Sequence, residues 1–247
     1  MMESATPSPR PRFRVGTSGF YYEGWLGTFY PEDLKKNAML PYYAERFDTV
    51  ELNSTFYHLP KEKTVQGWVD RTPGAFRFAV KGSRFITHRK KLRDVAEPLD
   101  LFYERIAPFG RKLGCVLYQL PPSLRRDDDL LNAFLAQLPE KIRHTVEFRH
   151  ASWFHPEVME ILKRHGVAFC AQSHPGLPDL MEATAPFVYL RFHGVPELYT
   201  SNYGDEELQR WANRIRALQR DAFVYFNNDF LGYAPVNAMT LRGFLTA

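Results

Sequence analysis

From residue 14 onward, short runs with apolar residues at every second position alternate with longer stretches in which apolar residues recur at helical spacing. The short runs are RVGTS (14–18), TVELN (49–53), RFAVK (77–81), GCVLYQL (114–120), TVEFR (145–149), VAFCAQ (167–172), FVYLRFH (187–193) and FVYFNN (223–228). Between them, DDDLLNAFLAQL (127–138) and DEELQRWANRIRALQR (205–220) place acids in the first turn, the latter with cations in the last. PEVMEILKRHG (156–166) opens on Pro and closes on Gly, and a last helix is expected near 235–245. Eight strand-then-helix units in 247 residues predict an α/β fold, a closed (β/α)8 TIM barrel. It occupies residues 13–247 as one domain, after a flexible N-terminal tail over 1–12. An open doubly wound sheet is the other arrangement of such units, but no G-x-G-x-x-G follows the first strand.

Side chains two apart on a strand share a face. Thr49, Glu51 and Asn53 therefore oppose Val50 and Leu52; Ala79 and Lys81 oppose Phe78 and Val80; Thr145, Glu147 and Arg149 oppose Val146 and Phe148; Tyr189, Arg191 and His193 oppose Leu190 and Phe192. In a barrel the apolar partners pack under the helices and the polar set points inward. It is concentrated at the strand C-termini, where barrel active sites sit. The bland alternatives are an antiparallel sheet with one wet face, and an internal Glu147–Arg149 ion pair with a structural role only.

Composition narrows this little. The formal net charge is +4, and Arg10, Arg12 and Arg14 near the start account for much of it. The strong local asymmetry is the loop KGSRFITHRKKLRD, where Lys81, Arg84, His88, Arg89, Lys90, Lys91 and Arg93 precede any acid. Such a run is ordinarily a solvated face, yet beside Lys81 it would recruit anions. Cys115 and Cys170 lie in apolar runs and read as buried thiols of a reducing cytoplasm. No segment has the length and apolarity of a membrane span, so a cytoplasmic protein with no membrane partner is expected.

Glu51 and Glu147 are the inward acids, a pair suited to acid/base work or to glycoside hydrolysis. His193 is a third candidate for proton transfer, although a lone inward histidine is more often structural. Lys81, Arg149 and Arg191 in the same cup point to an anionic ligand, which Asn53, Gln119 and Asn227 would orient. Aromatic loops after the first, second and fifth strands, with Trp25 and Tyr57 among their rings, could stack on a base or sugar; equally, they could wedge the loops onto the rim. No zinc-protease or related spacing, P-loop or nucleophile elbow occurs, so no metal or cofactor is assigned.

The stretches VGTSGFYYEGWLGTFYP, FDTVELNSTFYHLP, FAVKGSRFITH, LYQLPPS, VEFRHASW, YLRFHG and VYFNNDFLGYAPVNA resemble, in order, those of the YecE-like family, domain of unknown function 72, across roughly residues 13–246. The resemblance implies a TIM barrel whose cup is lined by Glu51, Asn53, Lys81, His88, Gln119, Glu147, Arg149, Arg191, His193 and Asn227. It implies no reaction. The function expected is recognition of a phosphate-bearing ligand, nucleotide or nucleic acid, with acid/base hydrolysis as the accompanying chemistry. The alternatives are a non-catalytic nucleic-acid-binding protein and a carbohydrate-active hydrolase using the paired glutamates.

Overall fold

The computed structural model describes residues 11–247. All eight expected strands form: β1 (Phe13–Thr17), β2 (Thr49–Leu52), β3 (Arg77–Lys81), β4 (Leu113–Gln119), β5 (His144–Glu147), β6 (Ala168–Ser173), β7 (Phe187–Phe192) and β8 (Asp221–Phe226). Neighbours are parallel in the order β1-β8-β7-β6-β5-β4-β3-β2. The ring comes round where Ser18 bridges Glu51 and the Gly19 N–H donates to the Glu51 carbonyl at 2.8 Å. Most of the expected tail, residues 1–10, lies outside the described residues; the Arg12 N–H donates to Asp221 Oδ1 at 2.9 Å.

The β1–β2 seam is close-packed for a reason legible in two residues. A Cβ on Gly16 would stand 2.4 Å from the Thr49 carbonyl oxygen, so only glycine lets the strands approach this far. Tyr43, from the helix Met39–Arg46, fills the missing ladder: its hydroxyl accepts from the Thr17 N–H at 3.0 Å and donates to the Thr49 carbonyl at 3.1 Å. Tyr43→Phe strands both backbone groups in a fully buried site. It is expected to lower stability by about 1–3 kcal/mol, read as a shift in the urea midpoint without a change in slope.

Helices follow seven strands: Met39–Arg46, Glu62–Asp70, Ala96–Ile106, Asp128–Leu135, Pro156–Arg164, Asp205–Ala217 and Tyr233–Thr246. Asp127 caps the fourth, Asp128–Leu135, by accepting the Leu130 N–H at 3.0 Å. The uniform strand-then-helix expectation fails once. Between β6 and β7, residues 174–186 form no helix, because Pro175, Pro178 and Pro186 punctuate a segment too short to hold one between them.

The alternation reading separates two cores. Val50, Val80, Val146, Phe148, Leu190 and Phe192 pack outward against the helices, whereas Ala79, Cys115, Leu117, Cys170, Tyr189, Phe223 and Tyr225 fill the lower barrel interior. Both cysteines are free and buried, and burial pushes both thiols well up, which leaves them protonated and inert. None of the described helices is long and apolar enough to cross a membrane.

His144 begins β5 and is buried, its Nε2 2.8 Å from the Tyr103 hydroxyl. Burial lowers its pKa from 6.5 to about 4. The unfolded chain therefore binds the proton first on acidification. The stability contributed by the neutral ring is complete above about pH 6.5 and drains away as pH falls toward 4, by roughly 3 kcal/mol at ~1.4 kcal/mol per unit. Unfolding curves of the protein and of His144→Phe between these pH values check this: the variant should lose the slope.

Candidate functional site

The apolar interior ends at the Tyr189 hydroxyl, which donates to Glu51 Oε1 at 2.8 Å. Two residues on, Arg191 occupies the barrel axis. Its Nε donates to Glu51 Oε1 (3.0 Å), Nη2 to Glu51 Oε2 (2.7 Å) and Ser18 Oγ (3.1 Å), and Nη1 to Glu147 Oε2 (2.7 Å). Ser18 Oγ in turn donates to Glu51 Oε2 at 2.5 Å. The remaining Glu147 oxygen, Oε1, accepts from Arg149 Nη2 at 2.6 Å and His193 Nε2 at 3.0 Å. Arg191 is 1% exposed and both glutamates are 0% exposed.

The His193 tautomer follows from its neighbours. Nε2 lies near both Glu147 Oε1 and Arg149 Nη2, at 2.9 Å from the latter, and it cannot accept from one while donating to the other. A carboxylate only accepts, so Nε2 carries the proton and Nδ1 accepts from the Asn227 amide at 3.2 Å. Burial, reinforced by Arg149, holds the His193 pKa well below its usual range, so the ring is neutral. Burial alone would raise the Glu147 pKa; the guanidiniums of Arg149 and Arg191 and the His193 hydrogen bond instead hold it well below.

This geometry revises the proton-handling roles expected of Glu51, Glu147 and His193. Every carboxylate oxygen is engaged, and none of the three lines the cup above them. They form its floor and hold Arg191 and Arg149 in place. Among the described residues, no three His, Cys, Asp or Glu side chains converge as a metal-holding group.

The cup itself is about 670 Å³ and is lined by the residues expected to bind ligand: Asn53, Tyr57, Lys81, His88, Gln119, Arg149, Arg191 and Asn227. Lys81 is 8% exposed, with its Nζ 4.3 Å from the Phe56 ring centroid. Among the described residues its amine has no hydrogen-bond or ion-pair partner. Burial, and then Arg191, lower its pKa to about 8. Half-buried His88 is likewise pushed down, by burial and then by Lys81 and Arg84.

The basic loop keeps Arg84, Arg89, Lys91 and Arg93 exposed, as a solvated run would, but its backbone is ordered. Residues Phe85–Arg89 form a π-helical turn anchored by buried Ile86 and Thr87, which turns Arg84, His88 and Arg89 to the cup wall. Arg93 instead pairs with Asp127 at 3.1 Å.

Trp25 does not reach the cup. It is fully buried against Tyr22, Phe29 and Tyr30, with ring centroids 4.7, 5.7 and 5.9 Å away, and so wedges the first loop onto the barrel. Phe20 and Tyr21 instead line a neighbouring apolar groove of about 810 Å³, with Leu52 and Trp68. The cup and the groove share Tyr22 and Asn53, and the Asn53 side-chain oxygen is buried without a partner.

Ser18 and Tyr199 belong to the site although no sequence signal points to them, whereas Arg84 and Arg89 read in the sequence only as part of the anion-recruiting loop and Tyr189 only as an inward residue of β7. The inward face that Tyr189 shares with Arg191 is the signal that could have placed it in the site. At the opposite end of the barrel, Arg12, Arg14, Arg77, Lys141 and Arg143 line a second basic basin of about 370 Å³, but Asp221 stands among them and Asp48 pairs with Arg14 at 2.7 Å.

The family described as "Protein of unknown function DUF72" matches residues 14–247. The UPF0759 protein YunF of Bacillus subtilis is 26% identical over 90% of this chain and 91% of its own length. The UPF0759 protein YecE of Escherichia coli is 35% identical over 113 residues, 45% of this chain and 42% of its own. The crystal structure of a DUF72 family protein from Thermotoga maritima superposes with a TM-score of 0.87 at 32% identity, covering 96% of this chain and 100% of that one.

Proposed function

The chain belongs to the DUF72 family, and on that footing we propose that it binds a phosphate-bearing organic ligand, with the phosphate in the cup and the planar part of the ligand in the aromatic groove. The observation that carries this is the lining of the cup: Lys81, Arg84, Arg89, Arg149 and Arg191 face it, and no carboxylate does. The floor is neutral, since the carboxylates of Glu51 and Glu147 offset the guanidiniums of Arg149 and Arg191. That leaves Lys81, Arg84 and Arg89 without a compensating acid at the wall. A cation shielded from water, as buried Lys81 is, holds phosphoryl oxygens more strongly than it would on an open surface, and exposed Arg84 and Arg89 add positive charge at the rim.

A cup of about 670 Å³ falls in the range of small-molecule pockets, roughly 300–1,000 Å³. A nucleotide therefore fits the reading better than a polymer laid across the surface. A glycosidase needs two carboxyl groups facing the sugar across the scissile bond. Here both are part of the floor, with their oxygens taken up by Arg191, Arg149, Ser18, Tyr189 and His193, so the arrangement gives that reading no support.

Calorimetric titration with pyrophosphate tests the proposal. A single site is expected, weakening as salt rises, while glucose gives no heat. Absence of pyrophosphate binding, or binding indifferent to salt, would overturn it.

A further inference from the structure

We infer that Lys81 is a nucleophile that condenses with an aldehyde or ketone carrying a phosphate, forming an imine in the cup. The inference rests on the anion-binding reading above, because the phosphate is what would bring the carbonyl carbon to the amine.

The amine sits at the C-terminal end of β3, the usual place for a reacting group in a barrel. It is almost wholly buried yet opens into the cup, and Phe56 covers one side of it. A lysine kept there as a structural cation would be paired. The acids near it, Glu51 and Glu147, spend their oxygens on Arg191, Arg149, Ser18, Tyr189 and His193. The charges that act on Lys81 are of both signs: Arg191 from β7 and Arg149 beyond β5 lower its pKa, Glu147 and Glu51 raise it, and burial outweighs them all; Arg84 and neutral His88 line the same cup. Desolvation, with Arg191 next, favours loss of the ammonium proton against the pull of Glu147 and Glu51, and desolvation is one way in which amine nucleophiles are activated. With the pKa lowered to about 8, roughly a tenth of the amine is neutral at pH 7, far more than for an exposed lysine.

The chemistry balances without an added oxidant. The Nζ lone pair attacks the carbonyl carbon, and the C=O π electrons move to oxygen. Nitrogen gives up a proton and oxygen gains one. A second proton then converts the hydroxyl to departing water as the C=N bond forms. His88 flanks the same Phe56 ring, with centroids 4.9 Å apart, and its neutral imidazole is placed to relay these protons.

Incubation of the full chain with glyceraldehyde 3-phosphate and sodium cyanoborohydride, followed by peptide mapping, tests this. One reduced adduct on Lys81 is expected, forming on the order of a hundredfold faster than on exposed lysines. It should be suppressed by pyrophosphate and absent from Lys81→Arg of unchanged unfolding midpoint. Label spread over Lys90, Lys91 and other surface lysines, with Lys81 no faster, overturns the inference. If pyrophosphate binds but Lys81 stays unlabelled, the inference falls and the anion-binding reading stands. If neutral glyceraldehyde labels Lys81 as fast as its phosphate does, the phosphate requirement falls.

Discussion

Arg191→Leu is expected to lower the stability of the protein by about 3–5 kcal/mol, the cost of leaving buried carboxylates without their counter-ion. Arg191 donates four hydrogen bonds to three side chains from β2, β5 and the end of β1. Its removal leaves Glu51, 0% exposed, with only the Ser18 and Tyr189 hydroxyls and no counter-ion, and leaves Glu147, also 0% exposed, with Arg149 alone as its cation. Arg191→Lys should recover little, because an ammonium cannot span Glu51 and Glu147 with a planar fork. Replacing Glu51, Glu147 and Arg191 together by apolar residues should cost less than Arg191→Leu alone, since the penalty lies in the unpaired charge. Urea unfolding of the variants measures this. A loss below about 1 kcal/mol for Arg191→Leu would mean that water reaches the floor and that the ion network is not closed.

Lys81→Met and Arg149→Met are each expected to weaken binding of an organic phosphate by about 10- to 100-fold, the loss of one charge-assisted contact of about 1.5–3 kcal/mol. Arg149→Met also removes a partner of Glu147, so its unfolding midpoint must be checked alongside. The pH dependence separates the two. Phosphate binding favours the protonated amine, so wild-type affinity should fall as pH rises through about 8, the value to which burial and Arg191 bring Lys81. Lys81→Met should lose this fall and Arg149→Met should keep it. Calorimetry between pH 6.5 and 9 reads both the affinity and the proton uptake.

What could be read from the chain ahead of its structure divides along a physical line. A period of two identifies which side chains share a face, so the strands and the inward orientation of Glu51, Lys81, Glu147 and Arg191 were legible. Depth and partners were not. Glu51 and Arg191 lie 140 residues apart, and nothing local in TVELN or FVYLRFH says that they meet. The glutamates and His193 therefore looked as available as Lys81, whereas they lie one level deeper and are saturated. Trp25 misled in the opposite direction: a ring on a loop can stack on a ligand or on its own barrel, and the sequence pattern is the same for both. The missing helix between β6 and β7 was foreshadowed by three prolines in the residues 174–186, a breaker signal that outweighs the expectation of a regular repeat.

The most direct measurement is a crystal structure of the protein soaked in pyrophosphate. The account predicts a phosphoryl group in the cup within hydrogen-bond distance of Lys81 Nζ and the Arg149 guanidinium, above an intact Glu51–Arg191–Glu147 floor. An empty cup, with the anion held instead in the basal basin of Arg12, Arg77 and Arg143, would contradict it.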